Sequence, residues 1–117
     1  HKLLREGVIA LLRADPVVQI VAETSDGLET LEKAAALQPD VAVVDISMPS
    51  MNGLEVVRRL KQDLPRTRTL VLTMHEEEEY VLHAVRAGAH GFLLKDSAGH
   101  ELLAAVRDLA AGRKHFG

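Results

Sequence analysis

Three residues whose types suit phosphoryl chemistry come at the ends of short, mainly apolar runs. Asp45 directly follows Val41–Val44, while Thr73 and Lys95 come at the ends of two later runs. A carboxylate can attack phosphorus to form an acyl phosphate, an ammonium group can neutralise the transferring oxygens, and a hydroxyl can hydrogen-bond the attached group. A single aspartate in this position is often only a cap, so the prediction depends on whether the three side chains meet.

The runs before these residues are predicted to be strands of a parallel sheet. Val41–Val44 is apolar without polar alternation, which is typical of a strand covered by helices on both faces. Residues 69–73 and 91–94 repeat this signal. The β-branched run at residues 17–22 predicts a further strand near the start of the chain.

Amphipathic segments between these runs are predicted to be helices. Asp26, with Glu29 three residues later, is a predicted helix N-cap, as is Asn52 before the third helix. Gly88 and Gly112 are predicted to end the last two helices. The helical segments are residues 4–12, 28–38, 54–64, 77–87 and 99–111.

The order of these elements is one helix followed by four strand-helix units. Such alternation favours an α/β fold, with a parallel sheet, right-handed crossovers and helices on both faces. In open α/β sheets the functional crevice lies beyond the carboxyl ends of the strands. Asp45, Thr73 and Lys95 are therefore predicted to converge on one edge of the sheet.

The composition indicates one soluble domain. The chain has 117 residues, of which 47% are hydrophobic, so it can bury a sizeable core. It contains no cysteine, which excludes disulfides and thiolate metal ligands. The 14 basic and 17 acidic residues give a net charge of -3, and the basic residues are scattered, which argues against nucleic-acid binding by this segment. No apolar run is long enough for a membrane span, so a cytoplasmic location is predicted.

Over its whole length the sequence closely resembles response-regulator receiver domains. The resemblance implies that residues 1–117 form one receiver domain with a flavodoxin-like, CheY-like doubly wound sheet of strand order 2-1-3-4-5. The ending 93–97 resembles the NarL/FixJ subgroup, in which the receiver precedes a LuxR-type helix-turn-helix. The motifs that carry the resemblance are Asp45-Ile46-Ser47-Met48-Pro49 with Asn52-Gly53, Thr73 after Leu70-Val71-Leu72, and Gly91-Phe92-Leu93-Leu94-Lys95.

The resemblance also implies roles for five residues in a signalling switch that is not an enzyme. Asp45 would accept a phosphoryl group from a sensor histidine kinase, Lys95 would pair with that group, and Thr73 would reorient to bond it. Phe92 would change rotamer with the threonine, although it could also be only a packed strand residue. Mg²⁺ would be held by Asp45, the Ser47 backbone carbonyl and further acidic side chains.

The implied partners follow from the same resemblance. Phosphorylation would promote a homodimer, and DNA would be bound only through a separate effector domain. In the family a first strand ending in an acidic pair precedes the stretch that residues 1–7 resemble. That strand and pair are expected either upstream of His1 or from another chain.

Other functions remain open on the sequence alone. The chain could be a pseudo-receiver that acts as an interaction module without phosphotransfer. A magnesium-dependent phosphatase is disfavoured, because such enzymes carry a second aspartate where this chain has Ser47. The acidic run Glu76–Glu79 is interpreted as a solvated first helical turn rather than a metal site, and His75, His83 and His90 are interpreted as surface residues.

Overall fold

The computed structural model describes residues 2–46, 53–73, 78–94 and 98–116. No helix in these ranges is long and apolar enough to cross a membrane. The helices are α1 (Lys2–Arg13), α2 (Gly27–Leu37), α3 (Gly53–Asp63), α4 (Glu78–Ala87) and α5 (Ala98–Ala110). The strands are β1 (Val41–Asp45), β2 (Arg68–Thr73), β3 (Gly91–Leu94) and β4 (His115–Phe116).

These strands form one sheet in the order β1-β2-β3-β4, and every neighbouring pair is parallel. The predicted strands β1, β2 and β3 are confirmed, and they lie side by side in the expected order. Strand β4 was not predicted, because a pair of residues is too short to show a period. The sheet is therefore the parallel α/β sheet that the alternation of elements favours.

Helices cover both faces of this sheet, which confirms the predicted doubly wound arrangement. Side chains of α2, α3 and α4 pack on one face around the fully buried Val44 and Val71. Side chains of α1 and α5 pack on the other face around Leu70, Leu72 and Leu93. Alternate residues of β1, β2 and β3 thus enter two separate cores, as expected for strands whose side chains point to opposite faces.

The boundaries of α2, α4 and α5 follow the capping signals of the sequence, whereas Asn52, the predicted N-cap of the third helix, lies outside the described residues. Gly88 and Gly112 have φ angles of 109° and 85°, which a residue without a side chain adopts most readily, and they lie just beyond the ends of α4 and α5. Gln38 ends α2 with a φ of 46° and donates its backbone N–H to the Ala34 carbonyl. Asp26 is the N-cap of α2 and accepts a hydrogen bond from the Glu29 backbone N–H at 2.8 Å.

Asp26→Ala is expected to lower the free energy of unfolding by about 1 kcal/mol, because it leaves the Glu29 N–H without its capping carboxylate. Urea unfolding followed by circular dichroism measures this loss. Ser25→Ala is the matched control, since Ser25 is exposed and precedes the cap, and it should change stability by less than about 0.5 kcal/mol. Equal losses in the two variants would show that the cap contributes nothing specific.

The strand predicted at residues 17–22 is wrong. This segment has no helix or strand assignment, and the side chains of Val17 and Val21 are 83% and 47% exposed. Val18 and Ile20 nevertheless pack against the core beneath α1 and α5. The β-branched run therefore marks a segment that packs apolar side chains on the core, but a strand also needs a neighbour for its backbone hydrogen bonds, and the described sheet offers none beside it.

Candidate functional site

Asp45 is the last residue of β1 and lies at the carboxyl edge of the sheet. It is half-buried and follows the fully buried Val44. Its Cα partner is Leu72 of β2, and the next residue, Ile46, donates its N–H to the Leu72 carbonyl at 3.3 Å. The carboxylate is thus carried by a backbone that two strands hold in place, at the edge where open α/β sheets bind ligands.

Thr73 is the last residue of β2, one position beyond the Cα partner of Asp45. Its own Cα partner is Leu94, the last residue of β3. Thr73 is only 1% exposed, so its hydroxyl lies in a site from which bulk water is largely excluded. Neighbouring strands are separated by about 4.8 Å. Asp45 at the end of β1 and Thr73 at the end of β2 therefore lie at the same edge of the sheet, as predicted.

Phe92 lies on β3 in the core formed with α2, α3 and α4. Its Cα partner is Val71, which precedes Thr73 by two residues on β2. Because side chains two residues apart point to the same face of a sheet, Phe92 and Thr73 share one face on adjacent strands. Phe92 is 6% exposed, so any change of its rotamer must repack this core.

Two predicted site residues, Ser47 and Lys95, lie outside the described residues. Lys95 follows Leu94 in the sequence, and Leu94 is the Cα partner of Thr73. The acidic residues Glu76 and Glu77 and the histidine His75 also lie outside the described ranges. For Ser47 and Lys95 the roles stated above stay predictions.

Gly53, the first residue of α3, brings the helix against the end of β1. Its N–H donates to the Ile46 carbonyl at 2.9 Å, which ties the start of α3 to the residue that follows Asp45. A Cβ at position 53 would lie 2.4 Å from the Ile46 Cα and 2.7 Å from the Asp45 carbonyl oxygen. The sequence indicated a turn at Asn52-Gly53, whereas the structure shows that glycine is needed at position 53 because two backbone segments meet there.

An ion pair with a buried carboxylate joins the segment after α1 to α5. The Asp15 side chain is 2% exposed; its Oδ2 accepts hydrogen bonds from Nε of Arg107, at 2.9 Å, and from a second guanidinium nitrogen. Its Oδ1 accepts the Val17 backbone N–H at 3.0 Å. These bonds, the Val17 bond first, hold the pKa of Asp15 below its ordinary value against the opposing effect of burial. Sequence reasoning missed this pair, whose members lie far apart in the chain.

His90 is a second correction, because it is half-buried rather than a surface residue. Its Nδ1 accepts the Thr69 backbone N–H at 3.2 Å, and its backbone N–H donates to the Thr69 carbonyl at 2.9 Å. Burial lowers the pKa of His90, and the nearby charges of Arg68, Lys114 and Lys61 lower it further. The neutral ring can therefore keep its acceptor nitrogen for the backbone.

The carboxylate of Asp45 is a hard oxygen donor of the kind that Mg²⁺ prefers. Within the described ranges, no group of three or more acidic or histidine side chains could hold a metal ion. A single carboxylate such as that of Asp45 suits a Mg²⁺ ion that keeps several waters.

The chain belongs to the response regulator receiver domain family, whose model matches residues 1–107. Response regulators are signalling proteins rather than classical enzymes. Receiver domains generally bind Mg²⁺ at their phosphorylation site.

Similar proteins are LuxR-family response regulators. The chain is 42% identical over 113 residues to the DNA-binding transcriptional activator DevR/DosR of Mycobacterium tuberculosis, covering 97% of this chain and 52% of that protein. It is 39% identical over 112 residues to the nitrate/nitrite response regulator protein NarL of Escherichia coli, covering 96% of this chain and 52% of that protein. The chain thus spans about half the length of the curated relatives it matches.

Solved structures of receiver domains share this fold. The signal receiver domain of the putative response regulator NarL from Mycobacterium tuberculosis superposes with a TM-score of 0.91 at 43% identity, covering 97% of this chain and 91% of that chain. A LuxR-family two-component response regulator from Aurantimonas superposes with a TM-score of 0.92 at 34% identity, covering 98% of this chain and 82% of that chain. These likenesses confirm the predicted CheY-like fold class.

Proposed function

We propose that this chain is a phosphorylation-dependent switch in which Asp45 accepts a phosphoryl group from a sensor histidine kinase. The observation that carries the proposal is the half-buried Asp45 carboxylate at the carboxyl end of β1, beside the buried hydroxyl residue that ends β2. In a receiver domain this position is suited to an aspartate nucleophile. The proposal extends over residues 1–117 as one receiver domain.

The transfer would be a displacement at phosphorus. An Asp45 carboxylate oxygen forms the new P–O bond while the P–N bond of the kinase phosphohistidine breaks, and the imidazole nitrogen leaves with the bonding electron pair. Lys95 would pair with the phosphoryl oxygens as a point charge. Asp45 and the Ser47 carbonyl would hold Mg²⁺, which when bound would supply positive charge to neutralise the same oxygens.

The switch would follow from the new charge on Asp45. Thr73 donates its hydroxyl hydrogen to a phosphoryl oxygen, and this movement changes the space on the face it shares with Phe92. Because that face is a close-packed core, Phe92 responds by changing rotamer rather than by a small displacement. The two conformations of Thr73 and Phe92 are thus the inactive and active states.

The output would be transcriptional. The named relatives are a DNA-binding transcriptional activator and a nitrate/nitrite response regulator, and this chain matches about half of each. We propose that DNA is bound through a separate effector domain, that phosphorylation promotes a homodimer, and that the protein acts in the cytoplasm. The dimer and the DNA-binding output both depend on the state of Asp45.

Asp45→Asn is expected to abolish phosphorylation, because an amide cannot form the acyl phosphate. The protein is incubated with Mg²⁺ and acetyl phosphate, and its intact mass is measured. The matched control is Asp40→Asn at the exposed residue that precedes β1. The backbone carbonyl of Asp40 accepts the Arg68 N–H and is unchanged by the substitution, so this variant should gain one phosphoryl group like the unchanged protein.

Equal phosphorylation of Asp45→Asn and the wild-type protein would overturn the assignment of Asp45 as the phosphoryl acceptor. If the unchanged protein gains no phosphoryl mass from either acetyl phosphate or a phosphorylated histidine kinase, the pseudo-receiver interpretation is correct instead.

A further inference from the structure

Strand β4 is a two-residue strand on the outer side of β3. Its Cα partners are Gly91 for His115 and Phe92 for Phe116. The His115 N–H donates to the His90 carbonyl at 3.0 Å. Because a backbone hydrogen bond contributes only about 1 kcal/mol net, so short a strand needs side-chain contacts to stay in place.

The His115 side chain supplies such contacts by bridging two acidic residues of α5. Its Nδ1 lies 2.9 Å from Oδ2 of Asp108, and its Nε2 lies 3.4 Å from Oε2 of Glu101. The His115 side chain is only 19% exposed. A protonated imidazole can donate to both carboxylates, whereas a neutral imidazole can donate to only one of them.

The turn between α5 and β4 is tied to the same acidic residue. Nε and a second guanidinium nitrogen of Arg113 donate to Oδ1 of Asp108 at 3.1 Å and 3.0 Å. Asp108 therefore binds the turn through one oxygen and the strand through the other. These hydrogen bonds, that from His115 first, lower the pKa of Asp108, so the carboxylate stays charged.

The fit of β4 against the sheet is close. A Cβ at Gly91 would lie 3.0 Å from the His115 carbonyl oxygen and 3.0 Å from Cδ1 of Leu109 in α5. It would also lie 2.8 Å from Cδ1 of Leu70. Glycine at position 91 thus leaves the space in which β4 and α5 meet the sheet.

The second residue of β4 lies beside the proposed switch residue. Phe116 is the Cα partner of Phe92, so the two side chains point to the same face of the sheet. Phe116 is 42% exposed, while Phe92 is 6% exposed. A change of the Phe92 rotamer would therefore alter the face of the sheet beside Phe116.

We propose that β4 is an output strand, latched onto α5 by His115 between Asp108 and Glu101, whose docking responds to the conformation of Phe92. The latch stands on the contacts above, whereas the response to Phe92 rests on the proposed function. The latch makes docking of the strand dependent on pH, and the position of Phe116 carries the state of the Asp45 site to the edge of the sheet.

The direction of the pH dependence follows from the charges around His115. The hydrogen bond to Asp108 is the main cause that raises the pKa of His115 above its ordinary value; burial opposes this rise and the bond to Glu101 adds to it. Below pH 6.5 the stabilisation from the protonated ring is fully present. It is lost as the pH rises above 6.5 through the pKa of the folded state.

A second histidine near β4, His90, would destabilise the fold when it is protonated at acid pH. The backbone carbonyl of His90 accepts the hydrogen bond from the His115 N–H. Burial lowers the pKa of the His90 side chain, and the charges of Arg68, Lys114 and Lys61 lower it further. Protonation of His90 would break its bond to the Thr69 N–H. This hydrogen bond is lost as the pH falls below 6.5. The two histidines are therefore expected to titrate in different pH ranges, His90 below 6.5 and His115 above it.

Fluorine NMR tests the latch, because the chain contains two phenylalanines, Phe92 and Phe116. The protein is labelled with 4-fluorophenylalanine, and Phe116→Leu identifies the Phe116 resonance as the one that disappears. Spectra are recorded across the neutral range, from mildly acidic to alkaline pH. The Phe116 resonance is expected to shift with a midpoint above pH 6.5.

Two variants separate the latch from a general effect of pH. In His115→Gln the Phe116 resonance should lose this transition, and in Glu101→Gln the midpoint should move to lower pH because one acceptor has lost its charge. The control His83→Gln, at an exposed position of α4, should leave both features unchanged. A Phe116 resonance without a transition above pH 6.5, or an unchanged midpoint in Glu101→Gln, would overturn the latch.

Phosphorylation tests the response to Phe92. After incubation with acetyl phosphate and Mg²⁺, with the phosphoryl group confirmed by intact mass, both fluorine resonances should shift. A shift of Phe92 alone would overturn the output role of β4 and leave the proposed function intact. If the protein gains no phosphoryl mass, the proposed function fails and the response of β4 to Phe92 is overturned with it. The pH titration of the Phe116 resonance would still test whether His115 holds β4 on α5.

Discussion

Gly53→Ala is expected to lower the free energy of unfolding by about 3 kcal/mol or more and to slow phosphorylation of Asp45. The new methyl group would lie 2.4 Å from the Ile46 Cα and 2.7 Å from the Asp45 carbonyl oxygen. Both neighbours are backbone atoms that cannot move away as a flexible side chain can. Forcing extra volume into a packed site costs about 1–3 kcal/mol and sometimes more. Here the cost is expected to be high because the first residue of α3 must move away from the end of β1.

The phosphorylation effect has the same cause. The Gly53 N–H donates to the Ile46 carbonyl, so a displaced α3 also displaces the residue that follows Asp45. A misplacement of about 1 Å can reduce a reaction rate by about a hundredfold. Urea unfolding measures the stability loss, and the rate of phosphoryl addition from acetyl phosphate measures the effect on the site.

Gly7→Ala is the matched control for Gly53→Ala. Gly7 is an exposed residue inside α1, and a Cβ there would meet nothing within 4 Å. Alanine favours a helix interior over glycine by roughly 0.5–1 kcal/mol, so this variant should be more stable and should phosphorylate at the normal rate. The same substitution is thus expected to have opposite signs at the two positions. A stabilised Gly53→Ala protein would show that α3 and β1 do not meet closely.

Local signals predicted most of the elements of this fold. Asp26, Gly88 and Gly112 mark helix ends through bonds or φ angles that involve only neighbouring residues. Apolar runs predicted β1, β2 and β3, and the edge positions of Asp45 and Thr73 follow directly once these strands are parallel. Such features are predictable because the residues that determine them lie within a few positions in the sequence.

Features that depend on distant partners were not predictable. Residues 17–22 carry the β-branched signal of a strand, but whether they form one depends on a neighbouring strand. Asp15 and Arg107 form an ion pair although they lie 92 positions apart in the sequence, and no local sequence pattern indicates this pair. The docking of β4 depends on the space at Gly91 and on the acidic residue Asp108, neither of which belongs to the strand.

The candidate site shows the same division. The sequence motifs selected Asp45, Thr73 and Phe92, and the register places them on three adjacent strands. The need for glycine at position 53 was interpreted as turn chemistry, because the close approach to Ile46 exists only after α3 folds back. Roles for Ser47 and Lys95 stay predictions. A substitution within the described part of the site therefore tests the switch most directly.

Thr73→Val is expected to accept a phosphoryl group on Asp45 but to switch only partly. Valine has nearly the shape of threonine but lacks the hydroxyl, and Thr73 is only 1% exposed, so the site should keep its packing. A hydrogen bond to a charged group contributes about 1.5–3 kcal/mol. Its loss would reduce the equilibrium constant for the active state by about ten- to a hundredfold. Because a switch to about 99% active state needs about 5.5 kcal/mol of differential stabilisation, the phosphorylated variant would keep an inactive population of roughly 10–50%.

The measurement uses the Phe92 fluorine resonance before and after phosphorylation, with intact mass confirming the phosphoryl group. Thr69→Val is the matched control, since Thr69 is 2% exposed and shares a strand and a face with Thr73 but lies toward the opposite end of β2. It should switch normally, because its hydroxyl is distant from Asp45 along the strand. A normal Phe92 shift in phosphorylated Thr73→Val would assign the coupling to packing alone, and the Thr73 hydroxyl would then have no part in the switch.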